Sequence, residues 1–181
     1  MSFPKPYADA VAKLRVFSGF LLAVGFLWLS EPSPISLAAG IPVSIAGLAI
    51  RAWAAGHLEK NLALTGSGPY AFVRNPLYIG TLAVAAGLAI ASRRWVLGAL
   101  FAIAFILIYL PVVELEEQHL RKLFPDYAEY ARDVPKLVPR FSRGTQAHKP
   151  FSWSRYRGNR EYEALAGFLA GVAVLVWKAL R

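Results

Sequence analysis

Five long apolar stretches separated by short polar breaks constrain this chain most: about Leu14–Ser30, Ile35–Ala55, Leu77–Ala91, Trp95–Val113 and Tyr162–Leu180. A helix needs about 20 apolar residues to cross a hydrocarbon core of roughly 30 Å. Inside lipid every backbone amide must be satisfied within the protein, which favours helices over irregular chain. The expectation is an all-α polytopic membrane helix bundle with about five transmembrane helices. Composition agrees, because 56% of the 181 residues are hydrophobic and only 17% are charged, too few to coat a water-soluble domain.

The breaks carry their own signals. Glu31-Pro32-Ser33-Pro34 removes backbone donors and fixes φ, so the first two stretches are separate helices joined by a turn. The third stretch is the shortest; about 15 residues cover roughly 22 Å, so its helix must begin earlier or tilt little. The run from Val16 to Leu29 is followed by no small-residue cleavage site and reads as an anchor, not a signal peptide.

Charge sets the expected orientation. Twenty Lys and Arg against 11 Asp and Glu give a net charge of +9, an excess that in an apolar chain gathers in cytoplasmic loops beside anionic lipid. Membrane lipid is therefore the expected partner, and nucleic acid is not. Lys5, Lys13 and Arg15 precede the first stretch, and Lys60 and Arg74 lie between the second and third. The segment Glu114–Glu161 holds Arg121, Lys122, Arg132, Lys136, Arg140, Arg143, Lys149, Arg155, Arg157 and Arg160. All of these place the N-terminus and that segment in the cytoplasm; Arg93 and Arg94 oppose, and Lys178 and Arg181 end the chain outside. The absence of cysteine excludes disulfides and thiolate metal sites, and no metal centre is expected. Three regions follow: 1–60, a two-helix membrane region; 61–141, a core with a helical hairpin; and 142–181, a basic interfacial segment with a fifth helix.

The hairpin brings chemistry together. With a tight turn near Ser92–Arg94, the start of the third helix lies beside the end of the fourth. The loop Gly66–Tyr78 and the segment Glu114–Tyr130 then share one membrane depth. Glu114, Glu116 and Glu117 end an apolar span, where a charge needs water, a partner or a ligand. Pairing with Arg121, Lys122 or Arg74 at the membrane exit accounts for them as well as a cationic ligand does. A ligand with a diol, an amine or a sulfonium would suit the carboxylates, and Tyr70, Tyr78 and Phe124 could stack a base. Pro76 holds Asn75 away from helical geometry and marks a helix start. Arg74 either snorkels to lipid phosphate or clamps a carboxylate. His57 and His119 are possible general bases, although a lone interfacial histidine is more often a satisfied polar residue.

Gly68-Pro69-Tyr70, Arg74-Asn75-Pro76-Leu77-Tyr78-Ile79-Gly80 and Glu116-Glu117-x-x-Leu120-x-x-x-Phe124-x-x-Tyr127-x-x-Tyr130-x-x-x-Val134 together resemble a family of membrane methyltransferases. It includes isoprenylcysteine carboxyl methyltransferase and the phospholipid N-methyltransferases, and the resemblance covers roughly Ile50 to Phe141. It implies S-adenosylmethionine as cofactor, bound at the cytoplasmic face, and a lipophilic acceptor arriving from the membrane, either an isoprenylcysteine-type carboxylate or a lipid amine. Carried over by motif, Glu116 and Glu117 bind the cofactor, and Pro69, Tyr70, Asn75, Pro76, Tyr78, Gly80 and Leu120 line its pocket. Arg74, Asn75, Tyr127 and Arg140 fall on the catalytic and acceptor side, where packing of an amphipathic helix explains the tyrosines equally well. Asn75 departs from the His of the Arg-His-Pro motif; it keeps donors and an acceptor but cannot titrate.

Phe151, Trp153, Tyr156 and Tyr162, interleaved with Arg155, Arg157 and Arg160, suit a segment lying on anionic lipid and leading into the last helix. Three other readings compete. An NADPH-dependent sterol-type reductase shares the C-terminal pattern, but paired carboxylates would repel a 2′-phosphate. A non-catalytic scaffold would keep the fold without binding cofactor. A transporter would call for ionisable groups at mid-span, which these stretches lack except towards their ends. Gly40, Gly47, Gly87, Gly98, Gly167 and Gly171 permit close helix packing, and the Gly167–Gly171 spacing hints only weakly at dimerisation.

Overall fold

A computed structural model describes residues 4–140 and 149–181. Arg143 of the cationic segment lies outside the described residues, as do the side chains of Lys5 and Arg15. The described residues form helices and no strand: α1 Lys5–Leu29, α2 Pro34–His57, α3 Pro76–Ser92, α4 Trp95–Leu123, α5 Tyr127–Asp133, α6 Trp153–Gly158 and α7 Tyr162–Ala179. Each of the five apolar stretches coincides with a helix. Three of these, α2, α4 and α7, are long and apolar enough to cross a membrane. A fourth is α1, if its limbs Pro6–Leu14 and Phe17–Leu29, bent by 50°, form one span. Of the five expected spans, the described helices supply three or four by length; α3 has 17 residues, because Pro76 opens it and the left-handed Arg93 (φ 57°) closes it.

The chain divides into two compact units. The first comprises residues 1–44, 85–119 and 169–181. Its core gathers Phe26, Leu37, Ala91, Leu97 and Leu175, with Phe101 tilted against Phe26 at 6.1 Å. Here α2 and α3 approach backbone to backbone. A Cβ on Gly40 would collide with the Gly87 carbonyl oxygen and come within 2.6 Å of the Ala91 amide. Ser36 Oγ donates to the Ala91 carbonyl at 2.9 Å, as expected where small residues let helices touch. Arg94 pairs with Glu31, which gives one of the two arginines opposing the orientation rule a local partner.

α4 widens into a π turn at Phe105–Tyr109. Pro111 follows after Leu110, and it has no N–H to give the carbonyl four residues back, Leu107. The Tyr7 hydroxyl donates to this carbonyl, 2.6 Å from the Leu107 oxygen.

The second unit comprises residues 45–84 and 120–168. A Cβ on Gly47 would lie 2.7 Å from the Gly80 carbonyl, so α2 and α3 touch here too. Its aromatic core is Tyr127, Tyr130 and Val134, packed with Leu64, Leu120, Phe124 and Ala131. All positions of the candidate site except Glu116 and Glu117 fall in this unit.

Candidate functional site

The first motif segment is shaped locally. Gly68 takes a left-handed conformation (φ 60°) and Pro69 starts a short 3-10 turn, Gly68–Ala71, closed by Tyr70 N–H to Ser67 O at 3.2 Å. Asn75 then precedes Pro76, and its carbonyl accepts from the amides of Tyr78 and Ile79 at 3.2 and 3.3 Å, starting α3. Pro69, Tyr70, Pro76 and Gly80 are buried; Arg74, Asn75 and Tyr78 are half-buried.

The segment after α4 is bonded onto it. Tyr130 Oη donates to the Tyr70 carbonyl at 2.8 Å. Arg74 Nη1 donates to the Ala131 carbonyl at 2.6 Å, capping the last turn of α5 with positive charge. Beyond α5 the chain runs alongside the motif: Arg74 N–H to Pro135 O at 2.9 Å, Asn75 Nδ2 to Lys136 O at 3.2 Å, and Arg140 N–H to Phe72 O at 3.0 Å. Residues far apart in sequence thus form one bonded layer of Tyr70, Arg74, Asn75 and Tyr130.

Of the remaining expected positions, Tyr127 is 1% exposed, edge-on to Tyr130 at 5.9 Å, with the Arg121 guanidinium 5.5 Å from its ring centre. Leu120 packs against this cluster, and the Arg140 side chain is exposed. Glu116 and Glu117 sit near the end of α4, in the first unit, Glu116 exposed and Glu117 buried. His119 is exposed, whereas His57 is buried. Among the described residues no group of three or more His, Asp or Glu side chains converges.

Two ionic clusters in the second unit go beyond the expected positions. Arg51 donates to both carboxylate oxygens of Glu161, Nε at 2.5 Å and Nη2 at 3.0 Å, and to Thr81 Oγ1 at 2.5 Å. A Cβ on Gly80 would come 2.5 Å from Arg51 Cγ, so this motif glycine makes room for the arginine. Glu59 receives Lys149 at 2.9 Å and Arg155 at 2.6 Å. The hydrogen bond from Lys149 is the main reason its carboxyl is held below the usual range; burial opposes this, and Arg155 reinforces it.

The segment around α6 thereby caps the end of α2. Ser152 N–H and Arg155 Nε both reach the Gly56 carbonyl, at 2.9 and 3.0 Å, and Asn159 Nδ2 reaches those of Ala55 and Leu58, at 2.9 and 3.0 Å. The sequence signal for the first cluster was Arg51 itself, a charge near the end of an apolar stretch that needs a partner.

Apolar helices of membrane-crossing length and a layer of interleaved Pro, Tyr, Arg and Asn motifs define a membrane-helix protein of a lipid-modifying class. The chain matches the phospholipid methyltransferase family over residues 36–127, and it belongs to that family. It is 34% identical over 149 residues to a cobalt-zinc-cadmium resistance protein of Cupriavidus metallidurans, covering 80% of this chain and 63% of the relative. It is 32% identical over 127 residues to a nickel-cobalt-cadmium resistance protein of Alcaligenes xylosoxydans, covering 69% of this chain and 53% of the relative. The chain therefore spans roughly half to two thirds of the length of these relatives. No solved structure matches it.

Proposed function

We propose that this chain transfers a methyl group from S-adenosylmethionine to a lipophilic acceptor in the membrane, an isoprenylcysteine-type carboxylate or a lipid amine, at the cytoplasmic face. The supporting observation is the layer in which Tyr130 and Arg74 bond the two motif segments of a methyltransferase family. The donor set of the motifs also fits the cofactor: carboxylates for an ammonium or a diol, and tyrosine rings for a base.

When bound, the cofactor supplies an electrophilic sulfonium methyl. On this reading Glu116 and Glu117 hold its polar groups, and Pro69, Tyr70, Asn75, Pro76, Tyr78, Gly80 and Leu120 line its pocket. Arg74, anchored on Ala131, orients an anionic group of the acceptor, with Asn75, Tyr127 and Arg140 on the same side. Residues 61–141 carry this machinery, residues 1–60 embed it, and residues 142–181 hold it at the interface. Rate comes from orientation and exclusion of water.

A second reading, a non-catalytic membrane component of a metal-resistance system, is favoured by the names of the two relatives. Calorimetric titration of S-adenosylmethionine, S-adenosylhomocysteine and NADPH into detergent-purified protein separates the readings. The expected result is binding of the first two but not the third, weakened at least tenfold in Glu117→Gln, the loss of about one charge-assisted hydrogen bond. NADPH binding alone would favour a reductase, and binding of none would favour the non-catalytic role.

A further inference from the structure

The Gly68 turn is flanked by two buried polar side chains. His57, at the end of α2, is 3% exposed, and Ser67 is 5% exposed. His57 Nδ1 lies 2.9 Å from the Trp53 carbonyl oxygen. A carbonyl only accepts, so Nδ1 carries a proton, which leaves Nε2 as the nitrogen that can accept one. The imidazole is held on several sides: Trp53 lies edge-on at 6.3 Å and Phe151 at 6.1 Å, and a Cβ on Gly68 would come 2.7 Å from Cδ2 and Cγ. Phe151 is in turn fixed through Ser152 and Arg155 to Gly56. Among the described residues the ring makes no second hydrogen bond, and the Ser67 hydroxyl makes none. Burying the Ser67 hydroxyl unpaired costs about 1–3 kcal/mol, a cost that a bound polar group would relieve.

We propose that His57 and Ser67 form the polar seat of the methyl acceptor and that His57 Nε2 takes the acceptor's proton, an inference that rests on the methyl-transfer reading. Asn75 cannot titrate, and His57 is a buried group beside the motif turn that can. The step takes the lipid amine of the two acceptor classes, since a carboxylate has no proton to give: once its ammonium has lost a proton, the nitrogen lone pair forms a bond to the methyl carbon. The sulfur–methyl bond breaks with its electron pair left on sulfur, giving a neutral thioether. The acceptor's proton passes to Nε2 and from there to water. Ser67 donates to or accepts from the acceptor's polar group and sets its approach. The charged groups on the elements packed around the ring are Glu59, Lys149 and Arg155, joined to one another, with Arg51 paired to Glu161 further up α2.

The test uses the full chain in membranes of an expressing strain with methyl-labelled S-adenosylmethionine, and purified protein for binding and stability. The variants are His57→Asn, whose amide can still donate to Trp53, and Ser67→Ala. His57→Asn is expected to bind cofactor within about twofold of wild type yet transfer label about 10²–10⁴-fold more slowly. Ser67→Ala is expected to melt at or above the wild-type temperature while transfer falls, because the hydroxyl removed satisfies nothing in the free protein. Undiminished transfer by His57→Asn from a wild-type protein that binds cofactor overturns this proposal alone. A lowered melting temperature for Ser67→Ala also counts against it, since the hydroxyl would then be a structural bond. Failure of the wild type to bind S-adenosylmethionine overturns the methyl-transfer reading and this proposal with it.

Discussion

Breaking the Arg51–Glu161 pair should destabilise the chain far more than breaking an exposed pair. Both carboxylate oxygens are engaged, Thr81 takes a third guanidinium donor, and the side chains are only 23% and 8% exposed. Two unit charges about 4 Å apart at an effective dielectric constant of ~20 attract by about 4 kcal/mol. Removing one partner of a buried pair costs about 3–5 kcal/mol, because the other charge is left uncompensated. Arg51 reaches some water, so the expected cost of Glu161→Gln or Arg51→Met is about 2–4 kcal/mol. The double variant should cost much less than the sum, with a coupling of at least ~1.5 kcal/mol. The assay is denaturant unfolding in detergent micelles followed by circular dichroism for wild type, both singles and the double. The Glu31–Arg94 pair, 66% and 47% exposed, serves as control and should be worth no more than about 1 kcal/mol. Additivity of the two singles within about 0.5 kcal/mol would refute the argument.

Gly40→Val should cost at least about 2 kcal/mol, because its Cβ meets the Gly87 backbone, whereas Gly167→Ala has open space around it and should be neutral or gain up to about 1 kcal/mol; parallel thermal melts decide. Tyr7→Phe should lose about 0.5–1.5 kcal/mol in the same melts by removing its hydrogen bond to the Leu107 carbonyl. Glu59, held below its ordinary value by Lys149, stabilises the fold above the unfolded carboxyl range of about 4.3 and loses that effect as pH falls through its folded value. The stability gap between wild type and Glu59→Gln should therefore be largest near neutral pH and close in acid.

The helices were legible because apolar runs and proline breaks are local properties: Pro34 and Pro76 open α2 and α3 where the sequence marks them. Their ends were less so. α1 begins at Lys5 and α4 continues to Leu123, because polar residues extend a helix readily once it leaves the apolar layer. The motif positions were readable as residue types, but not the bonds they make. Nothing in the sequence says that Arg74 caps α5 on Ala131 or that Asn75 reaches Lys136, since both acceptors are backbone carbonyls without a side-chain signature. Arg155 and Asn159 stood in a segment read as a lipid-facing lead into the last helix; their contacts with α2 depend on a return of the chain that short-range pattern cannot show.

The bond from Tyr7 to Leu107 has a consequence for how much of the N-terminal region the protein can lose. Hydrocarbon offers no donor to a bare carbonyl, and proline has removed the one that a regular helix would provide. A hydroxyl one hundred residues upstream donates there. A chain trimmed past Tyr7 would keep every motif residue and still lose this hydrogen bond onto the π turn of α4, so shortened versions should be judged first by whether that turn survives.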